Sequence, residues 1–228
     1  MRTSYLVAVG IVVISAAATV AATEPEYKTV FSDDFEHGMS GWEILDPKTW
    51  AIREQPNGSH SIEILKRDSE YQPPHRSPLH VALVKDLEVG DCDITFRVRS
   101  TLDTGNHRDC CVFFGYQDNR HFYYVHLGAK PDPHSGQIMI VNDAPRLALT
   151  ENKRLVPWDN KWHKVKLQRR LAEGSIRVFF DDMDTPLMEV KDQTFGRGRV
   201  GIGSFDDLNE FDDLEVRTPV EVATAPAG

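Results

Sequence analysis

The sequence predicts an all-β fold, a two-sheet antiparallel β-sandwich of jelly-roll type in one domain. Three observations predict it. After the first two dozen residues, no long segment places its apolar residues at helical spacing. Short runs alternate apolar and polar residues instead, the two-residue period of a half-buried strand. Between the runs stand the segments PNGS (56–59), PDPHSG (131–136), AEGS (172–175) and FGRG (195–198), all of them turn chemistry. About a dozen strands in one chain of 228 residues suit two packed sheets.

Taken in order, the chain opens with Arg2 and then an uncharged apolar run that lasts until Glu24. A positive start, an apolar middle and a small-residue exit make residues 1–22 a signal peptide, with cleavage after Ala22. The run approaches the length of a membrane span, but it ends in Ala and Thr without a basic stop. The expected location is therefore secreted or periplasmic, with no membrane contact after cleavage. Candidate strands follow at 28–35, 50–54, 61–65, 80–87, 93–100, 111–117, 121–127, 137–142, 163–170, 175–180, 187–190, 199–205 and 212–217. They place one β-sandwich domain at 27–217. Residues 218–228, rich in Pro, Ala and Thr, read as a disordered tail.

Strand parity assigns faces. Ile94, Phe96 and Val98 turn inward and send Arg97 and Arg99 outward. Tyr123, Val125 and Leu127 turn inward and leave Phe122, Tyr124 and His126 on an outer face. Val165, Leu167, Ile176, Val178 and Phe180 read as core, with Lys164, Lys166 and Gln168 as a solvated back. Cys92 and Cys110 open neighbouring runs. In a simple hairpin they would stand about 20 Å apart, from the rise per strand residue, beyond disulfide reach. With adjacent Cys110 and Cys111 on opposite faces, all three read as buried free thiols. No CxxC or HExxH motif is present. The four tryptophans stand near strand starts and read as packing.

Charge and residue clustering narrow the function. A net charge of -9 argues against nucleic-acid binding, which needs a concentrated basic surface. Yet six of the nine histidines fall between residues 75 and 134, among several arginines. His75 and Arg76 share one loop motif, and His107 and Arg108 share another. Arginine clamps carboxylate or sulfate through paired hydrogen bonds, and histidine moves protons near neutral pH. A second cluster joins Phe122, Tyr124 and His126 with Arg97 and Arg99, rings and donors suited to a sugar's apolar face and hydroxyls. Elimination on a uronate would use Arg97 or Arg99, Tyr124 and His126. Hydrolysis would pair a histidine with Asp109 or Asp143.

The segments FSDDFEHGMSGW (31–42), CVFFGYQDNRHFYYVHLG (111–128), WDNKWHKVKLQRRLAEGSIRVFFDD (158–182) and RVGIGSFDDLNEFDDLEV (199–216) carry a family resemblance. The chain resembles the concanavalin A-like, laminin G-type jelly rolls, and within them the secreted bacterial 3-keto-disaccharide hydrolase-type domains. The resemblance implies a carbohydrate-active domain that binds an oligo- or polysaccharide, anionic if the cations meet it, on one sheet face. Hydrolysis of a glycosidic bond is the associated chemistry. A non-catalytic lectin-like module and a lyase acting on an acidic glycan are the alternatives, since this fold hosts all three. In related jelly rolls the first and last strands also share a structural Ca²⁺, which here would fall to Asp34, Glu36, Asp212 and Asp213.

Overall fold

The computed structural model describes residues 25–220. The expected signal peptide at 1–22 and the tail beyond residue 220 lie outside the described residues. Among the described residues, no helix is long and apolar enough to cross a membrane.

Among the described residues, fifteen strands form two antiparallel sheets. Sheet I holds β1 (Tyr27–Asp33), β3 (Trp50–Glu54), β4 (His60–Ile64), β6 (Cys92–Ser100), β11 (His163–Arg170), β12 (Ser175–Phe180), β13 (Met188–Lys191) and β15 (Asn209–Pro219). Its order is β13-β12-β11-β6-β15-β4-β3, with β1 also paired to β15. Sheet II holds β2 (Trp42–Ile44), β5 (His80–Val89), β7 (Cys111–Asp118), β8 (His121–His126), β9 (Gln137–Asn142), β10 (Leu147–Ala148) and β14 (Gly198–Ser204). Its order is β10-β9-β8-β7-β14-β5-β2.

Every run read from alternation is a strand. The sequence did not reveal β2 and β10, which are too short to display a period. The first and last strands pair as expected, Tyr27 opposite Pro219 and Asp33 opposite Leu214. Thr218 and Pro219 therefore belong to β15, two residues into the expected tail.

The inward residues of both sheets meet in one core. Ile94, Phe96 and Val98 of sheet I pack with Tyr123 and Val125 of sheet II and with Leu127 just beyond β8, as parity required. All three cysteines are buried and free. Parity did not show what lies outside sheet II. There a second apolar layer joins Leu83, Phe113, Phe122, Tyr124, Met139 and Val141, closed over by Leu45, Tyr71 and Ala148. The rings of Phe113, Phe122 and Tyr124 lie about 6 Å apart, at packing distance. Phe122 and Tyr124 are thus a second core, not an open stacking face, and Tyr124 is fully buried.

Candidate functional site

At one end of sheet II, where β8 finishes, β7 begins and β14 runs out, the apolar layer gives way to a pocket of about 600 Å³. The size is ordinary for a ligand pocket, roughly 300–1,000 Å³. Asp109, His126 and Phe205 line it from these strand ends, and the loops supply Arg67, Arg76, His107, Lys130 and Arg146. Gly203 permits the strand packing beside it. A Cβ there would fall 1.9 Å from the His80 carbonyl oxygen, so only glycine lets β14 lie this close to β5.

Asp109 and His126 hold each other. Asp109 is 3% exposed. Its Oδ1 accepts hydrogen bonds from the Ser204 hydroxyl and the Phe205 N–H, each at 2.9 Å, and its Oδ2 stands 3.6 Å from His126 Nε2. Nδ1 of the same ring donates to the His134 carbonyl at 2.9 Å. A carbonyl only accepts, so Nδ1 carries the hydrogen of that bond. Burial pushes the Asp109 carboxyl up. The His126 ring, the Phe205 N–H and the Ser204 hydroxyl outweigh it and hold the group below its usual range.

Phe205 organises the cations. Its ring stacks on His126 at 5.4 Å and 11°, and the Arg146 and Arg76 guanidiniums stand 4.3 and 5.6 Å from its centroid. Arg67 is spent on Asp206, at 2.8 Å to its carbonyl and 3.4 Å to its carboxylate. Asp132 accepts the His134 N–H at 2.6 Å. Arg76, Lys130 and Arg146 form no ion pair among the described residues, although nearby cations do. Nη1 of Arg146 and the hydroxyl of Tyr124 are both buried without a hydrogen-bond partner. Burial pushes the Tyr124 phenol up, against the nearby positive charge of Arg146.

Beneath the floor lies a second carboxyl, Asp207. It accepts from the Ser100 and Thr104 hydroxyls at 3.2 and 3.1 Å, and from the Asp109 N–H at 3.4 Å. Burial, followed by the charge of Asp109, pushes it up to about 6. His80 is likewise structural. It meets the Thr49 hydroxyl at 3.3 Å and the Arg67 carbonyl at 3.1 Å, and burial lowers its pKa.

The chain is similar in structure to several solved proteins. One is the carbohydrate binding module CBM66 from Bacillus subtilis, 15% identical, with 79% of this chain and 97% of that chain covered and a TM-score of 0.57. Another is domain 4 of AbnA, a GH43 extracellular arabinanase from Geobacillus stearothermophilus, solved in complex with arabinotriose. It is 9% identical, with coverages of 86% and 95% and a TM-score of 0.58. A third is winged bean acidic lectin complexed with methyl-alpha-D-galactose, at 12%, 86%, 100% and 0.51. The fold is a concanavalin A-like jelly roll. No family model matches the sequence, and no curated protein does.

This jelly roll brings together only some of the residues the sequence proposed. Arg76, His107 and His126 line the pocket, and Tyr124 lies under it. His75 stands aside, 3.2 Å from an Asp143 oxygen that Arg120 also holds at 2.8 Å. Arg108 is buried among the Trp158 carbonyl, Asn160 and Asp103. Arg97 and Arg99 lie on sheet I, so the expected face shared with Tyr124 and His126 does not form. Both arginines stack on Trp162, at 5.1 and 4.9 Å. Arg97 pairs with Asp212 and Asp213 at 2.6 Å each, and Arg99 with Glu210 at 2.9 Å. The elimination trio is broken by the same separation. Of the hydrolytic pairs, both carboxylates meet a histidine, Asp109 with His126 in the pocket and Asp143 with His75 outside it. Arg67, Lys130, Arg146 and Phe205 were not foreseen, because alternation says nothing about where loop residues converge.

Of the expected calcium ligands, Asp34 and Asp213 line one small cavity together with Asp33 and Glu215. Glu36 is engaged by His60 at 2.7 Å, and Arg97 pairs with both Asp212 and Asp213. Among the described residues, no group of three or more His, Cys, Asp or Glu is placed to hold a metal.

Proposed function

We propose that this chain is an exported carbohydrate-binding domain that holds an anionic saccharide in the pocket at the end of sheet II. One observation carries the reading. In a protein with 35 acidic and 26 basic residues, Arg76, Lys130 and Arg146 converge on one pocket without an ion pair among the described residues, and its lining arginines and lysine outnumber its lining aspartates. A ligand carboxylate or sulfate would supply the partner. The adjoining loops offer the polar rim that sugars use. The solved jelly rolls named above include a carbohydrate binding module and a lectin with bound sugar, which supports a saccharide as the ligand class. Export rests on the leader at residues 1–22.

Binding is favoured over turnover because Asp109 and His126 are spent on fixed partners. Each Asp109 oxygen and each His126 nitrogen already faces a protein group, so neither is free to move a substrate proton. The one carboxyl with a strongly raised pKa, Asp207, does not line the pocket.

The test is calorimetric titration with uronate, sulfated and neutral polysaccharides, alongside assays for new reducing ends and unsaturated-uronate absorbance. Anionic polymers should bind, more weakly as salt rises, with neither product signal. Binding confined to neutral polymers, or none, overturns the reading. Reducing ends alone would make the protein a hydrolase, and both signals a lyase.

A further inference from the structure

A second pocket of about 540 Å³ adjoins the first and shares Asp132, His134 and Arg146 with it. Its character differs. Pro131, Pro133, Leu147 and Ala148 give it an apolar side, and Thr150 and Asn152 a polar rim. Lys153 and Glu151 also line it, so the first pocket's excess of cations is absent here. Leu147 is 64% exposed, although it occupies an edge strand of the sheet.

The walls are held in place. Gln137, 3% exposed, donates from Nε2 to the Asp132 carbonyl at 3.0 Å and the Asn152 carbonyl at 2.9 Å. Its Oε1 accepts from the Thr150 hydroxyl at 2.7 Å and the Asn152 N–H at 2.8 Å. Asn152 Nδ2 in turn donates to the Gly136 carbonyl at 3.0 Å. One buried amide thus ties the loop after β8 to the loop after β10, and the pocket between them exists before any ligand arrives. Loops fixed in advance save the ordering entropy that binding otherwise costs.

We infer that the two pockets are consecutive subsites for an oligosaccharide of at least two units, an anionic sugar in the first and a neutral sugar in the second. This rests on the anionic-saccharide reading of the first pocket. Arg146 and His134 form the partition and meet both sugars. The prolines and Leu147 take the apolar face of the neutral ring, while Glu151 and Lys153 stand at its hydroxyls. The ligand class that follows is a glycan in which uronate and neutral sugar are neighbours, rather than a polyuronate.

Calorimetry with three probes tests the inference: glucuronate, the glucuronate–N-acetylglucosamine disaccharide, and digalacturonate. The mixed disaccharide should bind about ten times tighter than the monosaccharide, and digalacturonate should gain little. In Leu147→Ser, whose exposed position leaves folding undisturbed, glucuronate should bind as in the natural protein and the disaccharide's gain should vanish. Glucuronate and both disaccharides binding alike would overturn the second subsite alone. An equal or larger gain for digalacturonate would overturn its neutral character. Failure of all three probes to bind would overturn the anionic-saccharide reading together with the subsite.

Discussion

The two outer faces of the sandwich are built from similar residues and end in opposite states. On sheet I, Arg97 and Arg99 flank Trp162, and every charge meets its opposite in Asp212, Asp213 or Glu210. At the end of sheet II, Arg76 and Arg146 stand over Phe205 without an ion pair among the described residues, although Asp109, Asp132 and Asp206 line the same pocket. Guanidinium over an aromatic ring is therefore not in itself a site. Neutralised, it fastens a surface; left unneutralised at a concavity, it attracts a ligand. The faces differ underneath as well. Sheet I rests on a single core, whereas sheet II carries a further apolar layer beneath its loops.

The largest effect should come from that layer. Phe113→Ala should cost about 3–5 kcal/mol in urea denaturation, as in a true core, and exposed Lys164→Ala on sheet I under about 0.5 kcal/mol. Similar small costs would mean that the outer layer of sheet II is not a core. Next is Arg146→Ala, which should weaken binding of an anionic saccharide roughly 10- to 100-fold, the worth of a charged hydrogen bond, with circular dichroism unchanged. Undiminished affinity would erase the distinction drawn between the faces.

Asp207 gives an intermediate effect with a defined sign. Its folded pKa of about 6 lies above the unfolded value of about 3.9. The folded state therefore keeps this proton longer, and stability falls as pH rises from about 4 to 6 and stays lower above that window. Asp207→Asn should remove this decline, a gain of about 1–3 kcal/mol at pH 7.5 relative to pH 4. An unaltered pH–stability profile would refute it.

Arg97→Ala should leave saccharide affinity unchanged and cost about 1 kcal/mol of stability or less. Lost affinity would return the ligand to sheet I. Smallest of all, EDTA should leave the melting temperature unmoved. A drop would revive a metal held by Asp34, Glu36, Asp212 and Asp213.

Sheets and core were legible in the sequence because alternation is a strong physical signal. Ile94, Phe96 and Val98 can bury only one side of a pleated strand. The outer layer was half legible. Phe122 and Tyr124 were placed outward correctly, but their cover comes partly from Tyr71, in a segment with no period. The site was least legible. His126 and Arg76 were found through local density, while Arg146 and Lys130 reach the pocket only through loop geometry. Arg97 misled because parity tells inward from outward without telling which sheet a strand joins.

The pairing of β1 with β15 sets Tyr27 beside Pro219, and the N–H of Val220 bonds to the Glu26 carbonyl at 2.7 Å. The domain's two exits are therefore one doorway. A short linker between these ends should permit the chain to be reopened at a distant loop tip, a circular permutant with both pockets intact. By the same geometry the domain could be spliced whole into a surface turn of another protein, adding a binding cup without parting the host's own strands.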